Sequence, residues 1–67
     1  MKEDKTKELK MKHYTVDTSG NNVQIAHEKG YHSYYANNVT AIEIQAKNKK
    51  QAKTIISKFC NVLYVFE

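Results

Sequence analysis

Apolar residues along this chain alternate in short stretches and then, late in the sequence, switch to a helical period. Ile42, Ile44 and Ala46 share one face of an extended segment. Asn48, a residue suited to capping, precedes Ala52, Ile55, Ile56 and Phe59 at helical spacing, and Val62 to Phe66 then returns as a β-branched and aromatic run. A strand, a capped amphipathic helix and a closing strand therefore occupy residues 42–66. This block indicates the α+β class and locates most of the hydrophobic energy.

Upstream, the alternation of Tyr14, Val16 and Thr18 stops at Ser19-Gly20-Asn21-Asn22, resumes with Val23, Ile25 and His27, and stops again at Glu28-Lys29-Gly30. Tyr31, Ser33 and Tyr35 follow, and Asn37-Asn38 turns the chain into the strand of Thr40, Ile42 and Ile44. The pattern predicts a four-stranded antiparallel meander (about 13–18, 23–28, 31–36 and 39–46), one helix (about 48–59) covering one face, and a closing strand (61–66). An Asn37-Asn38 turn sets Tyr35 opposite Thr40 and Ser33 opposite Ile42. A three-residue middle turn with Gly30 left-handed puts the aliphatics on one face, because a one-residue slip would send half of them to the other. The expected core face is Tyr14, Val16, Val23, Ile25, Tyr31, Tyr35, Ile42 and Ile44. A two-residue middle turn would instead make His27 and His32 neighbours.

Sixty-seven residues form one small domain. Chains of this size bury only about 60% of their unfolded surface, and the core supplies roughly 3–5 kcal/mol. Cys60 is the single cysteine, which excludes an internal disulfide and a multi-thiolate metal site. Self-association, a homodimer in the simplest case, is then the expected supplement. No apolar run is long enough for a membrane span or a secretory leader, so no membrane association and a cytoplasmic location are expected.

The net charge is +4, carried by eleven lysines without arginine. Residues 1–12 hold five lysines against three acids and only Leu9 and Met11 as apolar residues past the initiator, which predicts a flexible or loosely helical arm before a domain over 13–67. Lysine, asparagine, isoleucine and tyrosine are used heavily, as in AT-rich genomes. The layout resembles the many small α+β proteins carried by phages and mobile elements, a likeness of size and architecture only.

Candidate chemistry is sparse. His13, His27 and His32 show no ligand spacing, so no metal, cofactor or catalytic residue is assigned. Asp17 with His13 on the outer sheet face gives only a third-ranked reading, a small nuclease or metal-dependent enzyme. The leading expectation is a non-catalytic protein that modulates or inhibits a macromolecular partner. Its contact residues are Tyr34, His32 and Val39, on an outer face of small residues, with Tyr64 and Phe66 of the closing strand. The alternative is a single-stranded nucleic-acid or ribonucleoprotein binder that stacks bases on Tyr34 and contacts phosphates through Lys47, Lys49, Lys50, Lys53 and the N-terminal arm. The absence of arginine weighs against base-specific duplex readout.

Overall fold

The computed structural model describes residues 11–67. It contains β1 (Lys12–Ser19), α1 (Val23–Glu28), β2 (His32–Ala36), β3 (Val39–Ala46), α2 (Lys49–Ser57) and β4 (Val62–Phe66). The expected arm lies almost wholly outside the described residues, and Lys12, its last residue, already opens β1.

All four strands join one antiparallel sheet in the order β2-β3-β1-β4. Each half of the chain, β1-α1-β2 and β3-α2-β4, is a β-α-β unit whose two strands are split by a strand of the other half. This is ferredoxin-like connectivity. The α+β class and the open antiparallel sheet are as expected, but two helices rather than one cover it. Residues 23–28, expected as a strand, form α1.

The difference has a physical cause. Six residues are too few to separate a period of two from one of 3.6. Val23 and Ile25 fit alternation, but Val23 and Ala26 fit a helix, and Ala26 is the residue the fold buries completely. Ile25 is 39% exposed, and Val23 is only half-buried, so neither joins the central core. Both sides of β1 are already taken, by β3 and β4, which leaves no place for a hairpin partner after Ser19.

Gly30 is left-handed (φ 90°), as expected, but it terminates a helix instead of bulging a hairpin. The Gly30 N–H donates to the His27 carbonyl at 3.0 Å and the Tyr31 N–H to the Ala26 carbonyl at 2.9 Å. That pair of bonds is a Schellman motif, and it satisfies carbonyls that the last turn would leave orphaned. The Asn37-Asn38 hairpin is as read, with φ 55° and 65° at the two asparagines and Tyr35 opposite Thr40.

The inner sheet face carries Tyr14, Val16, Ile42, Ile44, Ala46 and Val65, packed against Ala26 of α1, Ala52 and Ile56 of α2, and Cys60. Tyr31, Ile55, Phe59 and Val62 pack around this cluster. Tyr31 stacks on Phe59 with ring centroids 6.0 Å apart. Tyr35, expected in the core, is 43% exposed at the strand edge, and its hydroxyl meets Asn38 Oδ1. Asn48 caps α2 as expected, accepting from the Gln51 N–H at 2.8 Å, while Gln51 Oε1 accepts from the Lys47 N–H.

Two fully buried threonines, Thr18 and Thr40, lie opposite each other in the inner layer. The Thr18 hydroxyl donates to the Thr40 carbonyl, and the Thr40 hydroxyl donates to the Gly20 carbonyl while accepting from the Asn22 N–H at 2.7 Å. Asn22 Nδ2 returns to Thr18 Oγ1 and to the Ser19 carbonyl. The start of α1 is thereby tied to both central strands. Thr40→Val keeps the shape of the residue but orphans the Gly20 carbonyl and the Asn22 N–H. We expect a loss of about 2 kcal/mol in urea unfolding, against a change within about 0.5 kcal/mol for exposed Thr54→Ala.

Candidate functional site: the open sheet face and the β4 edge

Both helices pack on the inner layer, so the outer sheet face has no covering element among the described residues. Register fixes its rows. Tyr34, Ala41, Asp17 and Tyr64 lie across the four strands in one row, and His32, Glu43, Thr15 and Phe66 in the next. Val39 follows in the row of Ala36 and Ser19. His32, Tyr34, Val39, Tyr64 and Phe66 therefore all belong to this face. They do not form one cluster, because three strand spacings place Tyr34 and Tyr64 on the order of 14 Å apart.

The aromatics sit at the two edges. Tyr34 is 53% exposed on β2, and Tyr64 (57%) and Phe66 (47%) share β4 with their ring centroids 4.7 Å apart. The centre of the face is small and acidic. Ala41 is buried between its neighbours, and Glu43 lies 3.6 Å from His13 Nε2. Ala26 lies in the core on α1 and contributes nothing to this face. Asp17 and His13 share the face as expected, but His13 meets Glu43, and no group of three metal-ligating side chains occurs among the described residues.

The lysines occupy another region. Lys49, Lys50 and Lys53 on α2 line a groove of about 350 Å3 with Val62, Leu63, Tyr64 and Val65. No residue of β1 lines it, so the groove opens on the outer edge of β4, which is free among the described residues. Leu63 reaches it through an irregularity in the β1–β4 register, where Thr18 pairs with Val62 and Asp17 with Tyr64. One extra residue on β4 breaks the inward–outward alternation at that point, and Leu63 is left 52% exposed. Lys47 precedes the helix in the β3–α2 turn, outside the groove lining.

Cations in a first helical turn oppose the helix dipole, and α2 has no acid there. The lysine–carboxylate pair among the described residues is Lys12–Glu67, so no described carboxylate offsets the groove lysines. Helix stability thus gives no reason for Lys49 and Lys50. Tyr34 is across the sheet from the groove lysines, so the nucleic-acid set expected from sequence is divided between two surfaces. Leu63 and the groove itself were not singled out in the sequence. The available signal was the loss of alternation over 62–66, where Leu63 follows Val62 directly.

Cys60, in the connection between α2 and β4, is buried in the core, and burial pushes its thiol pKa up, with a hydrogen bond to Thr18 partly opposing the shift. This is the environment of a structural thiol, not a nucleophile. No helix among the described residues is long and apolar enough to cross a membrane. No family model, curated protein or solved structure matches the chain.

The raised thiol pKa has a testable sign. Folding favours the protonated thiol, so the stability this contributes is complete below the unfolded pKa and is lost as pH rises through the folded one. In iodoacetamide labelling followed by mass spectrometry at mildly alkaline pH, Cys60 should react at least about tenfold more slowly in the native protein than in denaturant. The stability difference between wild type and Cys60→Ala should shrink as the solution is made more alkaline.

Proposed function

We propose that this protein is a small non-catalytic binding module that modulates a macromolecular partner by protein–protein contact, with β4 and the adjoining outer sheet face as its working surface. The observation that carries this reading is the state of β4. It is an edge strand with Leu63, Tyr64 and Phe66 each about half exposed. Natural edge strands are ordinarily blunted with charge, proline or a covering element. Here the edge stays apolar and aromatic, with the residue types that anchor protein interfaces.

The reading assigns Tyr64 and Phe66 as anchors, with Tyr34, His32 and Val39 extending the contact where the partner is broad enough to cross the sheet. A single-stranded nucleic-acid binder remains the second reading, favoured by the three groove lysines. Asp17 and Glu43, which repel phosphate at the middle of the aromatic face, weigh against it. Phage or mobile-element origin, inhibition of the partner and homodimer formation belong to the same proposal.

Tyr64→Ser with Phe66→Ser tests the assignment, since both side chains are exposed and their loss leaves the core intact. The double variant should melt within a few degrees of wild type. It should also fail to capture the protein that wild type captures from nuclease-treated lysate of its source cells. Capture unchanged by this variant, or abolished by the nuclease alone, overturns the reading.

A further inference from the structure

The two halves of the chain have equivalent connectivity but unlike charge. Helix α1, VQIAHE, contains one acid and no lysine, whereas α2, KKQAKTIIS, contains three lysines and no acid. The lysines of α2 are the ones that line the groove beside the free β4 edge. Alternate backbone N–H and C=O groups of an edge strand point away from the sheet and lack partners. An apolar floor, a row of backbone donors and acceptors and three cations thus adjoin over five residues, roughly 17 Å of strand.

We propose that the free edge of β4 takes an extended acidic peptide segment as a fifth strand, with alternate carboxylates on Lys49, Lys50 and Lys53. This rests on the reading of β4 as a protein-binding surface and names the chemistry of its partner. Side chains of an added strand alternate between the two faces of the sheet. Those on the helix side meet the lysines, and those on the open side meet Tyr64 and Phe66. The preferred segment therefore alternates acidic and apolar residues. Main-chain hydrogen bonds give such strand addition its affinity, and the alternating side chains give it specificity.

Charge selects against the other occupants. A second copy pairing β4 with β4 about a two-fold axis would place both helix layers on the same side, so the lysines flanking one edge would face those flanking the other. Like charges brought together in this way act against self-pairing. A single-stranded nucleic acid would satisfy the lysines but not the spaced N–H and C=O groups of the strand, nor the floor of Val62, Leu63 and Val65.

The test titrates the full chain with a fluorescent peptide alternating glutamate and valine at low ionic strength. Three comparison probes are the same peptide with lysine for glutamate, the acidic peptide with alternate backbone amides methylated, and oligothymidylate. The acidic peptide should bind and shift the amide resonances of Val62–Phe66. Methylation should abolish binding, and Lys49→Gln, Lys50→Gln and Lys53→Gln together should weaken it about tenfold or more. All three lysines are exposed, and circular dichroism checks that the variant keeps its fold.

Equal binding of the lysine peptide, or indifference to methylation, overturns the inference. Oligothymidylate binding through the same lysines without peptide binding assigns the groove to nucleic acid. A concentration-dependent dimer with its resonance shifts on β4 assigns the edge to a second copy. If lysate capture still depends on Tyr64 and Phe66 while the acidic peptide fails to bind, this inference falls and the binding-module reading stands. If both fail, both fall.

Discussion

The arrangement depends on a buried polar contact between the two central strands. Thr18 and Thr40 have no access to solvent, and between them they bond the Gly20 carbonyl, the Asn22 N–H and the Asn22 side chain. Hydroxyls at such depth are unfavourable unless satisfied. Thr18 is satisfied across the strands by the Thr40 carbonyl, but the Thr40 hydroxyl meets its two partners only because the chain leaves β1 at Ser19 and begins α1 four residues later. The network thus does more than hold β1 against β3. It sends the intervening segment over the inner face as a helix, and so keeps it off the open side of the sheet.

Much of the fold was legible because several local signals agreed. Residues 42–66 combine alternation, a capping asparagine and a helical stripe, and the asparagine pair of the hairpin sets its own register. Residues 23–28 were ambiguous for an equally local reason. Valine, isoleucine and a following glycine suit a hairpin strand, and only the buried Ala26 distinguishes the helix. Thr18 and Thr40 were in phase with the core residues throughout. Their inward placement follows from that phase, but the need for a helix start to satisfy them comes from residues 18 apart in sequence.

The candidate surface was less legible. Tyr64 and Phe66 stood out because β4 is apolar on both faces, and Tyr34 because it alternates away from its core-facing neighbours. That all three share the outer face follows from register. Their separation to opposite edges follows from the strand order, which no local pattern encodes. The crossing of connections also brings the α2 lysines to the free edge of β4 and removes them from Tyr34. Composition reported a mild positive charge. Only the split topology gave that charge a location and a neighbouring strand.

The strand order also bears on how the molecule assembles. The β2–β3 hairpin closes across two residues, whereas β4 reaches β1 only through contacts such as Val16 with Val65. Closing a loop of that length costs entropy before any pairing is gained, and chains rich in such distant pairings fold slowly. β4 is therefore joined to the sheet by its most distant pairing and, like β2, rests on a single flanking strand. The strand with the most exposed apolar surface is thus also one that the sheet holds from one side only. An added neighbour along its free edge would act as a clasp, slowing the release of β4 and lengthening the life of the folded chain.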